Sequence, residues 1–358
     1  MERKNYLDNI RVFVVILVMI YHACYIFNGV GVPGGFPINE GVFIFDAFCS
    51  LIYPWFMVLL FMVSGIAARL SLKKRGKKQF LRERLQKLLI PSTIGLFVLH
   101  WVTGYLYIKI GGGLEYIPPF LVYPISALSG SGPLWFAHLA FLYAVIISIL
   151  PFSKQEDKIH ELVGKIPPFI LFLIGGLAIF ISAQILNMPV ITTYRIGIYF
   201  VSFLIGYFIL SIDNVMDEIE KAFPQNLLVG TILGVAYFCL YMGENYSSDA
   251  VLKSLITNLY AWYVSMSIFG LFKKYFNKRT KLSSYLTSNS FGYYVLHYPC
   301  VVYIGYYFYT YVSITLWGKI LLTAALGLIA TLILNEIIKR IPIIRYVVLG
   351  IRKEKHEI

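Results

Sequence analysis

Long apolar segments dominate this chain and limit what it can fold into. Ten mainly apolar stretches follow one another along the 358 residues, with short polar links between them. Only 14% of the residues are charged, against ~25% in a typical soluble domain. A helix of roughly 20 apolar residues crosses a bilayer, and a lipid-exposed backbone must satisfy its own hydrogen bonds. The sequence therefore predicts an all-α, polytopic integral membrane protein with one domain over residues 1–358.

The apolar runs define ten predicted membrane spans. In chain order they are Leu7–Phe27, Phe43–Arg69, Leu88–Ile110, Leu134–Phe152, Pro167–Leu186, Arg195–Ile212, Leu227–Met242, Leu252–Phe272, Phe291–Tyr311 and Leu316–Ile338. Two longer links, 28–42 and 111–133, are rich in Gly, Pro and aromatic residues. Such loops are typical both of sugar recognition and of interfacial anchoring.

The basic residues predict the orientation of the spans. If the N-terminus is cytoplasmic, so are loops 70–87, 153–166, 213–226 and 273–290. All but five of the 31 Lys and Arg residues then lie at cytoplasmic ends, the exceptions being Arg11, Lys109, Arg195, Lys253 and Lys319. This asymmetry explains the net charge of +13 by topology rather than by nucleic-acid binding. We expect a multi-pass protein of the cytoplasmic membrane with both termini in the cytoplasm.

The first predicted helix carries two ionisable residues, Arg11 and His22. Burying such groups in hydrocarbon costs roughly several kcal/mol, so they are functional candidates. Their spacing of eleven residues is close to three helical turns, which places both on one face with His22 about 16 Å deeper. Asp8 precedes Arg11 by one turn and can hold its guanidinium in an ion pair.

This line of side chains allows two interpretations. An anionic cytosolic cofactor with a long arm can bind at Arg11 and reach His22, whose imidazole exchanges protons near neutral pH. Alternatively, Arg11 extends to the interface and His22 hydrogen-bonds a neighbouring helix. The basic stretch 71–87 has the same ambiguity, because it suits both anionic lipid head groups and an anionic substrate.

Other intramembrane polar residues are weaker candidates. Trp135, His138 and Arg195 fall at predicted outer ends of spans, where they can line an acceptor site or anchor the interface. His297 falls in the middle of a span and is also a candidate for acceptor binding. His100 is interpreted as a packing residue with an internal hydrogen bond, and Ser64–Gly65 as a close helix contact.

Five segments of the sequence, in order, resemble the acyltransferase 3 family. They are most similar to its glucan succinyltransferase-like branch. They are Arg11 with His22 after ten intervening residues, the FxxSG element Phe61–Gly65, the basic element Arg84–Pro91, the LWF segment Pro133–Phe136, and the S-x3-Y-x2-H-x-P segment Ser290–Pro299 with Tyr294 and His297. The FxxSG element lacks the acidic GVDxFF form common in O-antigen acetylases. A second acidic catalytic residue therefore has no assigned position.

The resemblance implies a membrane-bound O-acyltransferase that uses cytosolic acyl-CoA and carries no tightly bound cofactor or metal. Acetyl is the first choice of acyl group and succinyl the second. Arg11 and the basic residues Arg82, Arg84 and Lys87 would bind the donor. His22, in line with Arg11 and Asp8, would act as general base or carry the acyl group. The acceptor would be a hydroxyl of an extracytoplasmic glycan or a similar molecule. The alternative function is a glycan exporter without acyl transfer.

Overall fold

The computed structural model describes residues 4–150, 156–189 and 193–351. Almost every described element is a helix, which confirms the predicted helical membrane protein. In chain order the elements are α1 (Asn5–Tyr25), α2 (Phe43–Ile52), α3 (Phe56–Lys74), α4 (Lys77–Arg84), α5 (Ile90–Gly95), α6 (Trp101–Ile110), α7 (Pro119–Ser129), α8 (Trp135–Ile149), α9 (Glu156–Lys165), α10 (Pro168–Ser182), β1 (Asn187–Pro189), β2 (Thr193–Arg195), α11 (Ile196–Phe208), α12 (Asp213–Lys221), α13 (Phe223–Tyr241), α14 (Asp249–Lys253), α15 (Leu255–Tyr275), α16 (Lys281–Tyr311), α17 (Leu316–Arg340) and α18 (Pro342–Leu349). The short antiparallel pair β1–β2 is an addition to the predicted all-α architecture.

The predicted count of ten spans is not confirmed. By length and composition, seven helical segments of the described chain can cross a membrane, or nine if each of two bent pairs forms one span. The bends are 113° between α9 and α10 and 107° between α11 and α12. Charged helices therefore occupy parts of the predicted loops 153–166 and 213–226. Phe152, the predicted end of the fourth span, lies outside the described residues.

Several predicted spans differ from the structure at breaks in the backbone. The span predicted over Phe43–Arg69 is confirmed as one membrane-capable segment, Phe43–Lys74, but its helix is interrupted between α2 and α3 around Pro54. There the indole of Trp55 donates to the Leu51 carbonyl at 2.9 Å. Proline cannot donate a helical hydrogen bond, so a break is expected there. The third span begins earlier than predicted, at Lys77, because α4 runs through π-helical turns at Leu85–Leu89 and Leu96–His100 into α5 and α6.

The predicted outer loop 111–133 contains α7, which packs antiparallel against α6. A Cβ on Gly104 would lie 1.9 Å from the Ser126 carbonyl, and one on Gly130 would lie 1.9 Å from the His100 carbonyl. Gly130, which directly follows α7, thus lies beside His100. His100 precedes the end of α6 at Ile110 by ten residues, so α7 ends about 15 Å below that end of α6. The chain then continues through the break Gly130–Leu134 into α8.

Hydrogen bonds define two ends of the molecule. At the end where α1 begins, which we call the basic end, Asn9 donates to the Phe276 carbonyl at 2.6 Å and Lys4 pairs with Asp213. At the opposite end, which we call the loop end, Tyr309 donates to the Pro37 carbonyl at 2.9 Å. The long loop 28–42 therefore lies at the end where α1 finishes.

The helices pack closely where small residues meet. A Cβ on Gly65 in α3 would lie 2.0 Å from the Phe203 carbonyl, and one on Gly206 in α11 would lie 2.1 Å from the Met62 carbonyl. The α3–α11 crossing therefore requires glycine on both helices, in agreement with the predicted close contact at Gly65. This crossing positions Met57 and Leu60 of α3 against the candidate site.

Candidate active site

One face of α1 forms the wall of an internal cavity of about 340 Å³. Val15, Val18 and His22 all line this cavity, and Arg11 precedes Val15 by one turn. Because α1 is continuous from Asn5 to Tyr25, the spacings of four, three and four residues keep all four side chains on one face. The cavity therefore extends from His22 towards Arg11.

The cavity has two different halves on either side of His22. Towards the basic end it is lined by Val15, Val18, Met57 and Leu60. Towards the loop end it is lined by Tyr25, Tyr107 and Tyr298, and five further tyrosines line the cavity, namely Tyr21, Tyr53, Tyr194, Tyr199 and Tyr294. No described residue that lines it is Asp, Glu, Lys or Arg. His22 thus lies where an apolar passage meets a chamber rich in hydroxyl groups.

His22 makes its hydrogen bonds through one ring nitrogen. Its Nδ1 lies 2.8 Å from the Val18 carbonyl and 3.2 Å from Nε2 of His297. The ring of Tyr298 packs edge-on against the imidazole, with centroids 4.8 Å apart. No described residue forms a hydrogen bond with Nε2 of His22, so this nitrogen is free for a substrate.

His297 and His100 are both fully buried and both bind backbone carbonyls. Nδ1 of His297 contacts the carbonyls of Tyr293 at 3.1 Å and Tyr294 at 2.9 Å. Pro299 has no N–H for the Val295 carbonyl one turn earlier, and Nε2 of His100 lies 2.9 Å from that oxygen. Nε2 of His100 is therefore placed to donate the hydrogen bond that proline removes, as predicted for a packing histidine with an internal bond. A neutral ring donates either there or to the Gly130 carbonyl, which lies 3.0 Å from Nδ1.

The break between α7 and α8 forms another wall of the cavity. The Tyr294 hydroxyl donates a hydrogen bond to the Pro133 carbonyl, and Ser131 and Gly132 line the cavity. Gly132 has φ +46°, and a Cβ there would lie 2.3 Å from the Tyr298 ring. This position therefore requires glycine on steric grounds alone.

Of the four predicted acceptor residues, only Trp135 lines the cavity. Trp135 lines the cavity and stacks on Tyr199 with ring centroids 5.2 Å apart. His138 lies off the cavity, with Nε2 3.3 Å from the Thr93 hydroxyl. Arg195 is 1% exposed and donates to the Leu252 carbonyl and the Asn258 side chain at 2.9 and 2.8 Å. The residues that line the cavity do not include His138, Arg195 or His297. Their roles in acceptor binding remain predictions.

The predicted donor-binding residues lie at the basic end. Arg11 pairs with Asp8 at 3.2 Å. Arg84 packs over the Phe80 ring at 5.1 Å. Arg11 and Arg84 are both partly buried at this end, whereas Arg82 and Lys87 are exposed. Within the described part of the chain, no group of three metal-ligating side chains is present.

Apart from Tyr294, which belongs to the segment Ser290–Pro299, the tyrosines of the cavity were not identified from the sequence. Tyr25 and Tyr298 contact the His22 ring, and Tyr107 donates to or accepts from Tyr298 at 3.2 Å. Two signals were present, because Tyr25 follows His22 by three residues and Tyr298 directly follows His297. In a chain with 28 tyrosines, however, neither signal is distinctive.

A helical membrane protein with a half-buried imidazole facing an internal cavity defines the class, and comparison with known proteins gives the family. The acyltransferase domain model of the acyltransferase 3 type matches residues 4–336, so the chain belongs to that family. The chain is similar to glucans biosynthesis protein C of Salmonella paratyphi B and of Salmonella enteritidis, with 23% identity over 99% of this chain and 97% of each relative. No solved structure matches significantly. The chain is an acyltransferase of the membrane.

Proposed function

We propose that this protein transfers an acyl group from cytosolic acyl-CoA to a hydroxyl of an extracytoplasmic glycan or a similar acceptor. The observation that carries the proposal is the face of α1, on which Val15, Val18 and His22 line one cavity and Arg11 lies one turn beyond it. A charged group can therefore bind at Arg11 while a flexible arm reaches His22. The distance along the helix is about 16 Å.

The donor would enter from the basic end. Arg11 and Arg84 both lie at the basic end, and guanidinium groups bind phosphate through two hydrogen bonds at once. Val15, Val18, Met57 and Leu60 provide an apolar passage for the uncharged arm of the donor. On this proposal the basic end is cytoplasmic, in agreement with the distribution of Lys and Arg along the chain.

His22 would perform the proton transfers. Nε2 takes the proton of the acceptor hydroxyl as its oxygen attacks the thioester carbonyl, and the proton then passes to the departing thiolate. In a second route Nε2 attacks the carbonyl itself and holds the acyl group until the acceptor arrives. Acetyl is the first acyl group to test and succinyl the second.

The acceptor would bind in the tyrosine-rich half of the cavity. Loop 28–42 closes this half, because Gly34 and Gly35 line the cavity and the Tyr25 hydroxyl donates to the Pro33 carbonyl. Aromatic rings and hydroxyl groups without charge suit a neutral sugar. The half faces the loop end, which is extracytoplasmic on this proposal.

Sealed membrane vesicles of both orientations test the sidedness of the donor. Acetyl-CoA and succinyl-CoA are too highly charged to cross the bilayer, so each reaches one end of the protein. A Lys78→Cys variant labelled with an impermeant maleimide reports which end is exposed, since Lys78 is exposed at the start of α4. We expect release of free thiol only in vesicles that expose the basic end. Right-side-out vesicles should become active when detergent opens them.

His160→Ala serves as the matched control, because His160 lies in α9 and contacts Ser211 away from the cavity. It should retain the wild-type rate. Turnover from the loop end alone would refute the proposed orientation. If neither thioester is bound or consumed even in detergent, acyl-CoA is not the donor and glycan export should be tested next.

A further inference from the structure

We propose that His297 is a positioning residue that, together with the Val18 carbonyl, fixes the tautomer of His22, so that the lone pair of His22 Nε2 faces the cavity. This inference rests on the transfer reaction proposed above and adds a partner for its general base. The carrying observation is the 3.2 Å contact between His297 Nε2 and His22 Nδ1.

The proton on His297 is placed by its carbonyl contacts. Nδ1 lies 3.1 Å from the Tyr293 carbonyl and 2.9 Å from the Tyr294 carbonyl. Carbonyl oxygens only accept hydrogen bonds, so Nδ1 of His297 must carry the hydrogen. In a neutral imidazole the other nitrogen, Nε2, is then an acceptor. This acceptor points at His22.

The proton on His22 is likewise placed by a carbonyl contact. Its Nδ1 lies 2.8 Å from the Val18 carbonyl, so Nδ1 is the donor and shares its hydrogen between Val18 and His297 Nε2. For two neutral imidazoles no other assignment satisfies every contact. Nε2 of His22 is left with a lone pair, as both a general base and a nucleophile require.

The structure holds His297 firmly in this role. One turn before it, Tyr294 donates to the Pro133 carbonyl. His100 contacts the carbonyls of Val295 and Gly130 at 2.9 and 3.0 Å. The Tyr294 bond joins α16 to the break between α7 and α8, and the His100 side chain, which precedes α6, lies between α16 and the Gly130 carbonyl. The orientation of His297 is therefore set by three helical segments.

His297 occupies the place that a carboxylate takes in many acyl-transfer sites. No described residue that lines the cavity is Asp or Glu, and no described carboxylate forms an ion pair or a hydrogen bond with His22. A neutral acceptor still orients the ring, and its hydrogen bond strengthens when His22 gains a proton, since charge-assisted bonds are stronger. The missing second acid of the sequence is thus replaced by a second imidazole.

Two substitutions separate positioning from packing. His297→Gln keeps an oxygen that can accept from His22 Nδ1, whereas His297→Met has similar volume and no strong acceptor. We expect kcat for acetyl-CoA turnover to fall about 10²-fold in His297→Met, with KM within about twofold of wild type. His297→Gln should recover kcat to within about tenfold of wild type. Both variants should unfold at similar temperatures.

The tautomer can be read directly from ¹⁵N NMR of histidine-labelled protein in bilayers. Wild type should show His22 protonated at Nδ1. In His297→Met only the Val18 carbonyl still accepts from Nδ1, so the share of His22 protonated at Nε2 should rise above the wild-type share. Equal kcat in the Gln and Met variants, or His22 protonated at Nε2 in wild type, would overturn the inference. If wild type consumes no acyl-CoA, the proposed reaction fails by itself, while the NMR spectrum still decides the tautomer.

Discussion

The hydroxyl of Tyr294 donates a hydrogen bond to the backbone carbonyl of Pro133, across 161 residues of sequence. This bond joins α16, which carries His297, to the break before α8, which carries Trp135. Two of the segments that resemble the family are therefore parts of one wall. The break would otherwise leave a carbonyl unsatisfied inside the membrane, which is costly.

Removing this hydroxyl should loosen the cavity. We expect Tyr294→Phe to lower the free energy of unfolding by about 1–3 kcal/mol, because the Pro133 carbonyl loses its donor. Thermal unfolding in detergent and thioester turnover measure the two effects, and both should decrease. Tyr303→Phe is the control, since Tyr303 is 60% exposed. If the two variants had equal free energies of unfolding, the Tyr294–Pro133 bond would not contribute to stability.

The α3–α11 crossing gives a prediction about stability alone. Gly206→Ala would place a methyl group 2.1 Å from the Met62 carbonyl, so the helices must separate. We expect a loss of about 1–3 kcal/mol in unfolding free energy. Gly76→Ala is the matched control, because nothing lies within 4 Å of a Cβ there. A Gly206→Ala protein as stable as Gly76→Ala would mean that the helices can move apart without cost.

The sequence predicted the line from Arg11 to His22 correctly as one helix face, since residues on one uninterrupted helix depend only on local geometry. One of the two interpretations had His22 hydrogen-bonding a neighbouring helix, and His22 does contact α16. The partner, His297, was not predicted, because this contact depends on how α1 packs against α16. For His100 an internal hydrogen bond was predicted, but its partner, the Val295 carbonyl, was not. Pro299 did show that this carbonyl needed a donor.

Breaks in the fold were harder to predict than helices. Pro54 is a visible signal for the break between α2 and α3, but the apolar run continues across it and concealed the division. In the same way, the Gly- and Pro-rich stretch before Trp135 predicted a loop, whereas the structure forms α7 there. Hydropathy reports burial in lipid and gives no information about backbone direction.

Arg11 should contribute to donor binding more than to chemistry. We expect Arg11→Ala to raise KM for acetyl-CoA about tenfold, with kcat within about threefold of wild type. The reason is that the lost charge-assisted contact to the donor is made equally in the ground state and in the transition state. Steady-state kinetics at two ionic strengths measure this, and added salt should reduce the difference. Arg279→Ala, at an exposed residue that bonds Ser284, is the control. A large fall in kcat with unchanged KM would contradict this role.

Arg195 should anchor the fold. Its guanidinium is 1% exposed and joins β2 to the Leu252 carbonyl and to Asn258. We expect Arg195→Met to lower the free energy of unfolding by about 2–4 kcal/mol, since buried bonds to a charged group are lost. Lys253→Ala, which removes an exposed ion pair with Asp249, should change stability by less than about 1 kcal/mol. Both values come from thermal unfolding. An Arg195→Met protein of wild-type stability would contradict the anchoring role.

The most direct test of the account is the rate at which purified protein releases free thiol from acetyl-CoA, compared between wild type and His22→Ala. If His22 Nε2 carries the proton or the acyl group, the rate should fall at least about 10²-fold in His22→Ala while the variant still binds the donor. A His22→Ala protein that keeps the wild-type rate would show that the chemistry takes place elsewhere.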